Sequence, residues 1–182
     1  TAAWVGEKGG QGMIGIIGAG AFGTALAIAL GREGREVRLW ARDAGLVADM
    51  QKTRQNAARL PDILLPETVS VTAEIDDLLT AEAILLALPM QQLRGFLASN
   101  PDLNGRSLVA CCKGVDLASL QGPASVIAAA CPQSQVAILT GPSFAADIAK
   151  GLPTALTLAA QDGADLQSLL STPVLRLYRT HD

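Results

Sequence analysis

Apolar runs of strand length recur along the chain and alternate with longer stretches in which apolar and polar residues are mixed. That alternation is the pattern of βαβ units and a largely parallel sheet. Strands are predicted over Ile14–Gly18, Glu36–Trp40, Ala83–Leu88, Ser107–Cys111, Val136–Leu139 and Ala155–Ala159. Most of these are nearly all apolar, as strands covered on both faces should be. Helices are predicted to begin near Phe22, Ala44, Glu74, Pro89, Pro123, Ser143 and Ala164, several with Pro, Asp or Ser at or near the first turn. The fold class that follows is α/β: a Rossmann-type, doubly wound, mostly parallel sheet with helices on both faces. The stretch from Arg59 to Val69, with Pro61 and Pro66, reads as the longest irregular segment. Loops carry function in such folds.

Before Met13 the glycines Gly6, Gly9, Gly10 and Gly12 show no periodicity. Residues 1–12 are therefore expected to be a disordered leader or an expression scar, with Met13 as the native start and 13–182 as one domain. A length of 182 residues suits a single domain, and 49% hydrophobic content is enough for a core. Charged residues make up 17% and the formal net charge is -3, which argues against a disordered chain and against a basic surface for nucleic acid. With 3% aromatic residues there are few rings on which single-stranded bases could stack. The single histidine, His181, is penultimate, so triads, Cys-His dyads and histidine-rich metal sites would rest on a chain end. No metal is expected.

Cys111, Cys112 and Cys131 are odd in number and lack C-x-x-C spacing. They suit a reducing cytoplasm, and Cys111 and Cys112, in an apolar stretch, read as packed thiols. From Met13 to Gly31 there is no charge, and Lys8 precedes the stretch as in a signal peptide. Its grammar differs from that of a membrane segment. A β-branched run, Ile14-Gly15-Ile16-Ile17, leads into spaced glycines and then an Ala-rich helix, so neither signal nor membrane anchor is expected.

Those glycines form Gly18-Ala19-Gly20-Ala21-Phe22-Gly23, a match to G-x-G-x-x-G. Glycine is common here, 18 residues of 182, so the pattern alone is weak; its position between a strand and a helix makes it strong. Gly18 permits the tight turn, Gly20 lets the backbone approach a pyrophosphate, and Gly23 lets helix and strand pack closely. The helix N-terminus then offers unpaired N–H groups to phosphates. At the end of the second strand, an acid would bond the ribose 2′-OH of NAD, whereas an Arg accommodates the 2′-phosphate of NADP. Arg42 comes first and favours NADP. Asp43 keeps NAD open, and it can equally cap the helix starting at Ala44.

Three more strand ends carry candidate chemistry. The run Ala83 to Leu88 stops at Pro89, where open α/β sheets bind ligands. After Val109-Ala110-Cys111-Cys112 come Lys113 and Gly114, and the lysine would bring positive charge to a substrate phosphate or carbonyl in the same crevice. After Leu139-Thr140 come Gly141-Pro142-Ser143-Phe144-Ala145, where N–H groups and the Ser143 hydroxyl could receive a phosphate or hydroxyl oxygen. A plain N-cap by Ser143 is the alternative.

Taken together, the set resembles the bacterial-type NAD(P)-dependent glycerol-3-phosphate dehydrogenases. The resemblance rests on G-A-G-A-F-G-T-A-L-A from Gly18 to Ala27, L-W-A-R-D from Leu39 to Asp43, N-A-A-R-L-P from Asn56 to Pro61, C-K-G from Cys112 to Gly114, G-P-S-F-A from Gly141 to Ala145, and G-L-P-T-A from Gly151 to Ala155. It covers nearly the whole chain from Met13. It implies an oxidoreductase that interconverts dihydroxyacetone phosphate and glycerol 3-phosphate by hydride transfer, for glycerophospholipid synthesis in the cytoplasm, with a homodimeric full-length enzyme. Cofactor contacts would fall on Ala21, Phe22, Arg42, Lys113 and Ala145, joined by Gly18, Gly20, Gly23 and Pro89 from the reading above. Substrate contacts would fall on Lys113, Gly141 and Ser143.

The position of Ala21 is often Ser in that family, that of Arg59 is often aromatic, and Gly122-Pro123 falls in a stretch usually helical. The family's proton-transferring lysine lies on a helical domain with no counterpart in this sequence. The expectation is therefore a cofactor-binding half that binds nucleotide and turns over little alone. Other readings are a related dehydrogenase of the β-hydroxyacid or ketopantoate type and a non-catalytic NAD(P)H-binding module.

Overall fold

The computed structural model describes residues 12–181. The leader expected over residues 1–12 lies outside them, Gly12 apart. Strands β1 (Ile14–Ile17), β2 (Val37–Trp40), β3 (Val69–Thr72), β4 (Ala83–Leu86), β5 (Ser107–Ala110), β6 (Gln135–Thr140), β7 (Thr154–Ala160) and β8 (Leu175–Thr180) join in one sheet of order β3-β2-β1-β4-β5-β6-β7-β8. The first six strands are parallel throughout; β7 runs antiparallel to β6, and β8 parallel to β7. From β1 the chain winds outward to β3 and then returns to place β4 on the other side of β1. That reversal is the topological switch point, where the strand ends open a crevice.

Helices α1 (Ala21–Arg32), α2 (Ala44–Thr53), α5 (Ala145–Lys150) and α6 (Ala164–Leu170) contribute to the core on one face of the sheet. On the other face lie α3 (Met90–Ser99) and α4 (Pro123–Ala130). The strands divide accordingly with period two: Ala83 and Leu85 face the first core, Ile84 and Leu86 the second. A strand wanted by both cores must be apolar at every position, and β1 and β4 are buried at all of theirs.

Helix α1 explains the charge-free stretch. Every residue from Gly23 to Gly31 is buried, because α1 lies between the sheet and α5. A helix covered all round is apolar all round. Among the described residues no helix is long and apolar enough to cross a membrane.

Several expected boundaries move. Strands β3 and β8 were not predicted, and both are the outermost strands of the sheet. Each alternates buried and exposed positions, as in Leu175, Arg176, Leu177 and Tyr178, so a search for apolar runs passes over them. The helix expected near Glu74 is a single 3₁₀ turn, Ile75–Leu78, pinned where Thr72 Oγ1 accepts from the Glu74 N–H at 3.0 Å and donates to Asp77 at 2.6 Å. Helix α5 begins at Ala145, not Ser143, and its N-cap residue is Phe144, with no side-chain cap. The N-cap reading of Ser143 is thus set aside. The irregular stretch from Arg59 to Val69 is tied down: the Arg54 guanidinium donates to the carbonyls of Leu65, Pro66 and Val69.

Candidate cofactor and substrate site

The glycine turn between β1 and α1 uses its three glycines for different reasons. Gly18 has φ +113°, a conformation that L side chains rarely adopt, and a Cβ there would lie 2.6 Å from the Ala87 carbonyl oxygen. A Cβ on Gly23 would lie 2.1 Å from the Gly18 carbonyl oxygen. These two are demanded by the fold. Gly20 is not, since its backbone is ordinary and extended and a Cβ would meet nothing within 4 Å. Its missing side chain leaves room for something outside the protein. Gly20 is also the N-cap residue of α1 and caps with no side chain, so the first N–H groups of the helix lack intrahelical partners. They present a positive dipole end beside that opening.

The turn is held from below by a residue to which the sequence reading gave no role. Asn56 is 1% exposed, and its Nδ2 donates to the Ala19 carbonyl at 2.9 Å and to Thr24 Oγ1 at 2.8 Å. The same residue closes a turn by accepting at its carbonyl from the N–H groups of Arg59 and Leu60. Asn56 belongs to N-A-A-R-L-P, so the signal was present in the sequence, but the spatial partner was not.

Beyond the turn opens a cleft of about 340 Å³, lined by Gly18, Gly20, Trp40, Arg42, Asp43, Arg59, Pro89 and Gln92, among others. Trp40 forms a firm wall: its Nε1 donates to the Ala73 carbonyl at 2.8 Å, and its ring lies 5.3 Å from that of Phe96. Arg42 Nη2 donates to Gln92 Oε1 at 3.2 Å. Asp43 Oδ1 accepts from the Leu46 N–H at 3.0 Å and caps α2. Of the two roles open to Asp43 in the sequence, the cap is the one in place. A second hollow of about 460 Å³ continues past Trp40, Arg42 and Gln92 along α3.

The other predicted residues gather at the ends of β5 and β6. Lys113 Nζ donates to the Gly141 carbonyl at 3.2 Å, which joins the two loops. A Cβ on Gly141 would meet the tip of the Leu156 side chain at 2.7 Å, so a larger residue there would have to push Leu156 aside. The Ser143 hydroxyl is buried and has no hydrogen-bond partner among the described residues. A buried hydroxyl without a partner costs about 1–3 kcal/mol, which suits a group that a ligand completes. Lys113 does not line the Arg42 cleft; the two clusters sit at the ends of different parallel strands. Ala21 and Phe22 open α1 and Ala145 opens α5. Phe22 and Ala145 are packed against one core, with α5 lying along α1.

The loop after Lys113 is clamped to α3. Gln91 Nε2 donates to the Val115 carbonyl at 2.8 Å, and its Oε1 accepts from the Leu117 N–H at 3.1 Å. Asp116, 3% exposed, accepts from the Ser119 N–H at 2.9 Å and Oγ at 2.7 Å, with Arg94 at 3.5 Å. The two bonds from Ser119 hold the Asp116 carboxyl below the usual carboxylate range, and the Arg94 charge adds to this. Gly122 and Pro123 do not interrupt a helix; they start α4, with Gly122 as its N-cap residue and Pro123 in its first turn. Cys111, Cys112 and Cys131 are buried, and burial pushes their thiols up, away from the nucleophilic thiolate.

Comparison with known proteins agrees with this geometry. The family described as NAD-dependent glycerol-3-phosphate dehydrogenase N-terminus matches residues 13–165. A protein of Cereibacter sphaeroides named glycerol-3-phosphate dehydrogenase [NAD(P)+] is 59% identical over 174 residues, which cover 93% of this chain and 52% of that protein. One of the same name from Roseobacter denitrificans is 54% identical over 173 residues, covering 93% of this chain and 54% of the relative. Among solved structures, the glycerol-3-phosphate dehydrogenase of Coxiella burnetii superposes with a TM-score of 0.88 at 31% identity, over 94% of this chain and 54% of that one. The chain thus spans about half the length of the curated relatives it matches. By the match over residues 13–165, this chain belongs to the NAD-dependent glycerol-3-phosphate dehydrogenase family and corresponds to its N-terminal part.

Proposed function

We propose that this chain is the nucleotide-binding part of a cytoplasmic, homodimeric oxidoreductase that interconverts dihydroxyacetone phosphate and glycerol 3-phosphate with NADP, or less favourably NAD. The observation that carries the reading is the glycine turn at the switch point, where a Cβ on Gly20 would meet nothing within 4 Å among the described residues. A pyrophosphate at that opening would meet the free N–H groups at the start of α1. The residues fit such a cofactor, which supplies a hydride-accepting or hydride-donating ring when bound. NADP is favoured because Arg42, at the end of β2, lines the cleft, and Asp43 beside it gives its Oδ1 to the cap of α2.

On the substrate side, the Gly141 carbonyl accepts from both Lys113 Nζ and the Ser143 N–H, and the Ser143 hydroxyl has no partner among the described residues. Ser143 can donate to or accept from a phosphate or hydroxyl oxygen, and Lys113 can steady negative charge on a phosphate or on a carbonyl oxygen being reduced. Both groups bind and orient.

Titration of the chain with NADPH and NADH, followed by nucleotide fluorescence, tests the reading. Saturable binding of both is expected, tighter for NADPH, with Gly20→Val weakening each by roughly a hundredfold. Glycerol 3-phosphate should then bind the nucleotide-loaded chain, and Lys113→Ala should remove that binding. Nucleotide binding that Gly20→Val leaves unchanged would mean that the glycine turn is merely structural.

A further inference from the structure

We infer that Arg59 is a second determinant of cofactor choice, a cation that pairs with the 2′-phosphate of NADP alongside Arg42. The inference rests on the cofactor reading above and adds a residue to it. Arg59 and Arg42 line the same cleft, approaching from different segments: Arg42 from the end of β2, Arg59 from the turn after α2. Their situations differ. The Arg42 guanidinium is already bonded to Gln92, whereas no hydrogen bond or ion pair engages the Arg59 side chain among the described residues. An arginine with its fork of donors unused, at the wall of an open cleft, is suited to an incoming oxyanion.

The charge balance points the same way. Arg42, Arg59 and Asp43 are the charged residues lining this cleft, so its lining carries one net positive charge and needs Arg59 as well as Arg42 for it. With Arg59 neutralised, Asp43 offsets Arg42 and a doubly charged phosphate loses its net attraction. The base of Arg59 is also fixed. Its N–H is bonded to the Asn56 carbonyl at 3.0 Å, Leu60 beside it is 4% exposed, and the Asn56 side chain holds the glycine turn at Ala19. One buried asparagine therefore sets the distance between the turn that would take the pyrophosphate and the arginine that would take the 2′-phosphate.

The test compares the unsubstituted chain with Arg59→Ala, Arg59→Lys and Arg42→Ala/Arg59→Ala, using four probes: NADPH, NADH, adenosine 2′,5′-bisphosphate and adenosine 5′-monophosphate. Arg59→Ala should weaken NADPH and the bisphosphate by about tenfold and leave NADH and the monophosphate unchanged. Arg59→Lys should recover part of the loss, and the double variant should lose discrimination between NADPH and NADH. The tenfold effect should shrink as salt is raised, because the cleft is open to water. Equal weakening of NADPH and NADH, or no change in either, would overturn the role of Arg59 while leaving the cofactor reading intact. If the unsubstituted chain binds neither nucleotide, both fall together. Melting curves of each variant identify any that fail to fold, and Arg59→Lys is the fallback there.

Discussion

Gly20 and Gly23 belong to one motif and should fail in opposite ways. A methyl group on Gly23 has to displace the backbone oxygen of Gly18, a flaw that no rotamer change relieves. Gly23→Ala should therefore cost about 3 kcal/mol or more of stability, read from urea unfolding. A Cβ on Gly20 meets nothing within 4 Å among the described residues, so Gly20→Val should change stability by about 1 kcal/mol or less while weakening nucleotide binding by roughly a hundredfold. A large loss of stability in Gly20→Val would show that the opening serves the fold. The sequence supplied these glycines and Arg42, Lys113 and Ser143 as candidates. It could not separate the two readings of Asp43, because capping and ribose binding ask for the same carboxylate at the same place in the chain. It gave no role to Asn56, because a buried polar residue is intelligible only through partners distant in sequence, here Ala19 and Thr24.

At the scale of elements, the central strands were legible and the edge strands were not. Strands β1 and β4 carry two cores and must be apolar throughout, which makes them conspicuous. Strand β8 carries one core and faces solvent on its other side, so Arg176 and Tyr178 break its apolar run. The loop after β5 is another element that sequence leaves open. Its order depends on Gln91 and on Asp116 accepting two bonds from Ser119. Because those bonds hold the Asp116 carboxyl below its unfolded value, their contribution is complete above the ordinary carboxylate range of about 4 and is lost as the pH falls through the lower folded value. Hydrogen exchange at Leu117 and Ser119 should thus accelerate, relative to the rest of the chain, in acid. Asp116→Asn should flatten that pH dependence, and an unchanged profile in the variant would assign the acid sensitivity elsewhere.

Over the whole molecule, the predicted residues fall into two clusters. The glycine turn, Arg42 and Arg59 form one cluster, and Lys113, Gly141 and Ser143 another, both at the ends of parallel strands. Reducing a ketone builds charge on its oxygen, and a positioned acid typically contributes about 10² to 10⁴ in rate. Lys113, the cation in the second cluster, is engaged with the Gly141 carbonyl. The 182 residues taken alone should therefore bind nucleotide yet oxidise NADPH with dihydroxyacetone phosphate at least about a hundredfold more slowly than a full-length relative. Stopped-flow absorbance with both proteins decides this, and comparable rates would place the acid within the present chain. By itself the sequence determined the doubly wound class and the glycine turn, because strand burial and tight turns leave their requirements in neighbouring residues. Tertiary structure alone decided that Asn56 holds the turn and that Arg59 shares a cleft with Arg42. Those facts depend on which distant segments the sheet order brings together, and local sequence carries no record of that.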